Sequence, residues 1–319
     1  MILKERSTPI KITYLEALLR RLPYDHLKRS RIEEDLFKRR AGYRGEKALD
    51  QFLINHPLTD DFLILNDLRL SNGKQYFQID SLLINNQFAL ILETKNIYGT
   101  LFFDQEFNQL IRTSSDSETG FPNPLVQARR QQHQLANWLN HHLKLSLPIQ
   151  FLIVITSPST VLKTNKHSPI YDRVTHLYNL EDKIQQLADN HLKQILSQKE
   201  LQKLNKRLNK NHIPEGFQVL QYYDIKETEI LRGVYCLKCN RLSMVRKHGT
   251  WVCIQCSHKN KNAHREAIDD YFSLIHPSIT NREFRNFLML SDPQTATRLL
   301  SSLNLSSSGS NKGKIYFRK

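Results

Sequence analysis

Gln78-Ile79-Asp80-Ser81-Leu82-Leu83-Ile84, then Asn85-Asn86-Gln87, then Phe88-Ala89-Leu90-Ile91-Leu92-Glu93-Thr94-Lys95, is the stretch on which the fold turns. Two apolar runs around an Asn-rich turn read as a β-hairpin. Side chains alternate along a strand, so Glu93 and Lys95 share a face. With the turn centred near Asn86, opposite residues have numbers summing to 171 or 173. Asp80 then faces Ile91 or Glu93, and either register puts it on the face of Glu93 and Lys95. Two carboxylates and an ammonium converge on one small surface. Glu93 and Lys95 interrupt an apolar strand, where unpaired charge is costly, which weighs against a plain salt bridge on a solvated face. Two acids at one site hold a hard cation such as Mg²⁺ (or Mn²⁺), which lowers the pKa of a bound water and neutralises a phosphodiester. Lys95 is placed to orient the water or to stabilise the developing oxyanion.

Further β-like runs surround the hairpin at Phe62–Leu70, Tyr98–Phe103 and Phe107–Arg112. Asn123-Pro124 opens a long helix, since Asn caps well and Pro suits the first turn. Ile149–Thr156 is a continuous apolar strand of the buried kind. Upstream, Gly45 to Leu53 is expected to be a helix with Glu46 at the edge of its Ala48, Leu49, Phe52, Leu53 stripe. Gln127 and Gln131 lie at i and i+4 on the later helix, so both amides can aim at one site. Helix, meander, helix and strand describe an α/β core with a mixed sheet flanked by helices over residues 41–180.

Arg44-Gly45-Glu46, Phe77-Gln78-Ile79-Asp80, Glu93-Thr94-Lys95 with its following aromatic strand, and Asn123-Pro124 with Gln127 give residues 40 to 145 a family likeness. This segment resembles the nuclease-related domain, NERD, of the restriction-endonuclease-like PD-(D/E)xK superfamily. The resemblance implies Asp80 and Glu93 as metal ligands, Lys95 as the catalytic lysine, and Glu46 and Gln127 as supporting residues. It also implies a metal-dependent deoxyribonuclease. Ile79 stands where that superfamily commonly has proline.

Cys236-x-x-Cys239 and Cys253-x-x-Cys256 have the spacing of a four-cysteine zinc site, an iron–sulfur cluster being the other centre such a set can hold. The run from Leu242 to Val252, with Gly249, reads as a short hairpin, and so small a segment needs its metal to fold. It resembles a zinc ribbon. Basic residues around it, among them Arg246, Lys247 and Lys261, suggest nucleic-acid contact, against a ribbon that only joins two domains. Thr280-Asn281-Arg282-Glu283 is a capping box, and Asp292-Pro293 caps a second helix. Helix, turn, helix and the glycine- and serine-rich tip resemble a winged helix-turn-helix, with Arg298, Lys312, Lys314 and Arg318 as nucleic-acid-binding candidates. A helical packing or dimerisation unit is the other reading.

Charge and length bound the rest. At 319 residues the chain is expected to hold about two domains and a small third. The division read from it is a basic helical extension (1–40), the nuclease-related domain (41–180), a helical connector (181–230), the zinc ribbon (231–262) and the winged-helix-like domain (263–319). The net charge is +15. Residues 41–159 hold 9 Lys and Arg against 11 Asp and Glu, whereas residues 216–319 hold 16 against 8. The basic flanks are therefore expected to hold DNA while the acidic middle cuts it. A non-catalytic DNA-binding protein using the same fold as a scaffold is the alternative, and a membrane-surface adaptor using residues 1–40 leaves the carboxylates unexplained. No apolar run approaches the roughly 18 to 20 residues of a spanning helix, and Met1 to Arg6 lacks a signal-peptide start. A cytoplasmic protein with reduced thiols and no small-molecule cofactor is expected.

Overall fold

The computed structural model describes residues 2–56, 61–115, 117–165, 169–310 and 313–318. The chain opens with β1 (Ile2–Lys4), α1 (Ile10–Arg21) and α2 (Arg29–Asn55). It continues through β2 (Leu63–Ser71), β3 (Tyr76–Ile84), β4 (Ala89–Lys95), β5 (Thr100–Asp104), β6 (Gln109–Ser114) and β7 (Ser117–Pro122). Then come α3 (Pro124–Leu143), β8 (Ile149–Ile155), β9 (Val161–Thr164), β10 (Val174–His176), α4 (Leu180–Asp189) and α5 (Gln198–Lys210). The remainder is α6 (Val219–Tyr222), β11 (Val234–Cys236), β12 (Arg241–Lys247), β13 (Thr250–Cys253), β14 (Lys259–Asn260) and α7 (His264–Leu274). It closes with β15 (Ser278–Thr280), α8 (Asn281–Leu288), α9 (Pro293–Ser301), β16 (Leu305–Ser308) and β17 (Ile315–Arg318). These fall into two compact units, residues 1–7 with 40–215 and residues 8–39 with 216–319.

The first unit is built on a mixed sheet in the order β1-β2-β3-β4-β8-β10. β3 and β4 pair antiparallel with Ser81 opposite Leu92 and Ile84 opposite Ala89, the register whose numbers sum to 173. Asn85 sets the turn, its Oδ1 accepting from the N–H groups of Gln87 and Phe88. β4 and β8 run parallel at the centre and are buried on both faces, as their apolar runs Ala89–Leu92 and Phe151–Ile155 demand. Leu49 and Leu53 of α2, with Leu180 and Ile184 of α4, cover one face of the sheet. Leu135, Trp138 and Leu139 of α3 and Leu201, Leu204 and Leu208 of α5 share the core on the other. The segment expected to be a connector thus supplies part of this core, because its leucines recur at helical spacing. A second sheet, β7-β6-β5-β9, adds Leu101, Phe103 and Leu110 to the same core. Its strand β7 is largely exposed, and no apolar alternation announced it.

α2 begins 16 residues earlier than the Gly45 start expected from sequence and runs unbroken through Gly42 and Gly45. Burial of its apolar stripe outweighs the helix cost of glycine, about 1 kcal/mol each. The two glycines differ in role. A Cβ on Gly45 would lie 2.6 Å from Asn96 Cβ and 2.7 Å from Thr156 Oγ1, whereas nothing lies within 4 Å of one on Gly42. Asn96, just past β4, donates from Nδ2 to Ala41 O at 2.8 Å, so the helix is drawn tightly to the strand ends. Gly42→Ala is therefore expected to raise the urea midpoint, by up to about 1 kcal/mol of stability. Gly45→Ala is expected to lower it by about 1 to 3 kcal/mol through overpacking. Equal effects at the two positions would refute this close approach.

In the second unit α1 ends at Arg21 and Leu22 is extended, as Pro23 requires of its predecessor. Arg21 is fully buried, its Nε 2.8 Å from Asp270 Oδ2 and its Nη1 donating to Gly233 O at 2.7 Å. The basic extension is thus partly core. β11 to β14 form an antiparallel sheet, and the β12–β13 turn places His248 and Gly249 at positive φ (43° and 79°), the backbone of a tight two-residue hairpin. Thr280 and Glu283 form the capping box of α8, and Asp292 accepts from the N–H groups of Gln294 and Thr295 at the start of α9. After α9, β16 and β17 pair antiparallel, and β15 joins the outer side of β17.

Candidate active site and cysteine centre

The β3–β4 pairing ends with Ser81 opposite Leu92, and Asp80 and Glu93 are the residues that follow on the two strands. Glu93 is 1% exposed, so each of its oxygens needs a partner. Lys95 Nζ donates to Glu93 Oε1 at 2.6 Å, and Gln131 Nε2 donates to Glu93 Oε2 at 2.8 Å. Lys95 also donates to Gln127 Oε1 at 3.2 Å, while Gln131 bonds the main-chain oxygen of Gln78. The i, i+4 pair on α3 therefore meets this site with both amides. Asn123 starts α3 in place, its Oδ1 accepting from Leu125 N at 3.0 Å. Asp80 Oδ2 accepts from Thr94 N at 3.0 Å.

Glu46 reaches the site from α2 through a residue that sequence reading missed. Arg6 follows β1 and is buried, its Nη1 2.8 Å from Glu46 Oε2 and its Nε 3.0 Å from Asp50 Oδ2. Its Nη2 donates to Asp80 O and Ser81 Oγ, each at 2.9 Å. One guanidinium thus ties helix α2 to the main chain of the Asp80 strand, using the planar fork that suits several acceptors at once. Nothing local in Met1 to Ser7 signals this.

Acid outweighs base here. Burial first, and the Asp80 charge second, push the Glu46 carboxyl up to about 7 against the pull of Arg6. The same two causes push Glu93 up to about 7 against Lys95 and Gln131. Lys95 is desolvated too, yet Glu93 and Asp80 hold its pKa above the usual lysine value. Carboxyls raised in the folded state favour folding below their unfolded pKa, and that contribution is lost as pH rises through about 7. The metal-free protein should therefore lose on the order of a few kcal/mol of stability between about pH 5 and pH 8. Millimolar Mg²⁺ should restore more of it at the upper end, where the carboxylates are free to bind. Thermal melts in EDTA that are flat over this range would refute the charge excess.

Asp80 and Glu93 supply hard oxygen donors close enough for the Asp80 charge to act on Glu93, a donor set that fits a divalent cation keeping some of its waters. Gln131 Oε1 is buried with no hydrogen-bond donor among the described residues, so the polar wall of the site is not yet satisfied.

The cysteines form a separate centre. Among the described residues, Cys236, Cys239, Cys253 and Cys256 are the set of three or more His, Cys, Asp or Glu side chains whose donor atoms all lie within 4.8 Å of one another. Cys236 Sγ is 3.7 Å from Cys256 Sγ, and Cys239 Sγ is 3.6 Å from Cys253 Sγ. A disulfide needs about 2.05 Å. A tetrahedron with metal–sulfur bonds of about 2.3 Å has edges of about 3.8 Å, so the spacing fits a single zinc ion. Burial raises the Cys253 pKa, but the Ser243 hydroxyl and the N–H groups of Cys256 and Gln255 outweigh it and favour the thiolate. Trp251 is buried and donates from Nε1 to His264 Nδ1 at 3.3 Å.

Of the nucleic-acid candidates, Arg298 is exposed on α9, and its guanidinium donates to Thr295 Oγ1 of its own helix at 3.1 Å. Lys314 lies over the Tyr316 ring, its Nζ 5.1 Å from the centroid. Arg318 is engaged internally, 3.0 Å from Asp269 Oδ1 and stacked over Phe272. Lys312 lies outside the described residues. No described helix is long and apolar enough to cross a membrane.

Neither a search of curated proteins nor a search of solved structures returned a match. Residues 41–156 match the family model described as the nuclease-related domain. The match spans Glu46, the β3–β4 hairpin, Gln127, Gln131 and the buried strand β8, and it fits a mixed sheet flanked by helices as a restriction-endonuclease-like core. The chain therefore carries a nuclease-related domain, NERD, over residues 41–156.

Proposed function

We propose that the chain is a metal-dependent nuclease that hydrolyses DNA phosphodiester bonds, with Asp80 and Glu93 holding Mg²⁺ or Mn²⁺ and Lys95 as the catalytic lysine. The observation that carries this reading is the buried Glu93 carboxylate, shared between Lys95 and Gln131, with the Asp80 carboxylate bonded to the N–H of the next residue, Thr94. The cation supplies a nucleophilic water at neutral pH and charge neutralisation of the phosphodiester. The side chains do the positioning. Gln131 and Lys95 fix the Glu93 carboxylate in one orientation, and Gln127 steadies the Lys95 ammonium at the mouth of the site. Lys95, still cationic at working pH, offers its remaining N–H to the oxygen that gains charge during attack. Arg6 neutralises Glu46 and Asp50 and keeps Asp80 in register.

The cysteine centre holds structural zinc, and the ribbon with the winged-helix-like segment tethers DNA through basic residues such as Arg246 and Arg298. We assign residues 41–180 as the catalytic domain, completed in the same compact unit by residues 1–7 and by α5, with 231–262 as the ribbon and 263–319 as the winged-helix segment. We place the chain in the cytoplasm, where thiols stay reduced. The test is an assay on plasmid and on linear single strands with Mg²⁺, with Mn²⁺ and with EDTA. Cleavage with either metal and none in EDTA is expected. Binding without cleavage under all three conditions would replace this reading by a DNA-binding scaffold.

A further inference from the structure

The first unit holds 22 Lys and Arg against 18 Asp and Glu, a net charge of +4. Helix α5 alone holds five against one, so one helix accounts for the whole excess. Its inner face is Leu201, Leu204 and Leu208, set in the core under the sheet. Lys199, Lys203, Lys206 and Lys210 recur at i, i+4, i+7 and i+11 on the opposite face, and all four are exposed. None of the four is ion-paired or hydrogen-bonded through its ammonium among the described residues. By contrast, Lys95, Arg6, Arg69 and Arg173 of this unit are all committed to partners. The row is about 16 Å long, the rise of about five phosphates along one DNA strand. Lys199, Lys203 and Lys206, with Gln198 and Gln202, line a shallow groove.

The ends of α5 give the row a direction. Before its first turn, Ile195 and Leu196 donate to Asn86 O in the hairpin turn, at the far end of β3. After its last turn, Ile213 N donates to Arg69 O, and Arg69 N donates to His212 Nδ1. Arg69 pairs with Gln78, two residues from Asp80. The row therefore starts at the hairpin turn and ends beside the strand segment that carries Asp80.

We propose that the exposed face of α5 is a phosphate-binding track of the catalytic unit, on which Lys199, Lys203, Lys206 and Lys210 hold duplex DNA running toward Asp80 and Glu93. This rests on the nuclease reading for the purpose of the track, and its test is independent of cleavage. Full-length protein carrying Glu93→Gln is titrated in EDTA against a labelled duplex of about 20 base pairs, from about 50 to about 200 mM salt. Changing the four lysines together to Glu should weaken binding at least tenfold at the low-salt end. It should also reduce the slope of log K against log salt by about 0.9 for each phosphate that is no longer neutralised. Changing them to Arg should preserve both. An unchanged slope in the Glu variant overturns the track, even if the wild-type chain cuts DNA. A reduced slope in a chain that never cuts DNA upholds the track and sinks the nuclease reading. Binding of the lysine face to anionic phosphatidylserine vesicles with no effect on duplex affinity also overturns it.

Discussion

Replacing Glu93 by Gln is expected to lower Mg²⁺-dependent cleavage at pH 8 on the order of 10³-fold or more, with duplex affinity in EDTA not weakened. The amide keeps the shape of the side chain and can still meet Gln131, so the fold has little reason to fail. What it loses is an anionic oxygen donor and the counter-charge of Lys95, and each acts where charge develops in the transition state. The same change removes a carboxyl that burial and Asp80 push up to about 7, so the variant should lose less stability than the parent as pH rises through about 7 in EDTA. A destabilising core lesion would lower the midpoint at every pH, which separates loss of chemistry from loss of fold. Single-turnover cleavage and urea midpoints on the same preparations decide it. Cleavage within tenfold of the parent would sink Glu93 as a metal ligand.

Removing zinc should have the second large effect. Purified protein is expected to contain about one tightly held zinc per chain. Cys236→Ser should release it, because the four thiolates replace the hydrophobic core that so small a sheet lacks. Apparent binding energies for structural zinc run to about 10 to 16 kcal/mol, enough to govern whether the local fold exists. Protection from hydrogen exchange over residues 234–260 should then collapse, and Trp251, buried against His264, should become exposed. Elemental analysis and exchange mass spectrometry check this. Iron in place of zinc would refute the assignment, as would a protected sheet around four free thiols.

Much of the candidate site could be read locally. Strand alternation is expected to put Asp80, Glu93 and Lys95 on one face in either register, and the structure takes the register whose numbers sum to 173, with Ser81 opposite Leu92. Helical spacing aimed Gln127 and Gln131 together because residues four apart share a face whatever the fold. The Asn123-Pro124 start and the Thr280–Glu283 box depend only on neighbours in the chain, and both form. The paired CxxC motifs were legible for the same reason, since each pair is a local turn.

Arg6 was not legible, because its partners lie 40 to 75 residues away and only the packing of β1 beside β2 brings them to it. Nor did local pattern reveal that α2 runs through two glycines, since one of them is kept by the close approach of Asn96 and Thr156 from distant strands. α5 looked like a polar connector until its three leucines met the sheet. The sequence by itself determined which residues share a face and where helices start, because periodicity and capping act over a few residues. Only the tertiary structure decided which faces meet, which charges pair across the sheet, and which lysines stay unpaired, because those depend on packing between segments far apart in the chain.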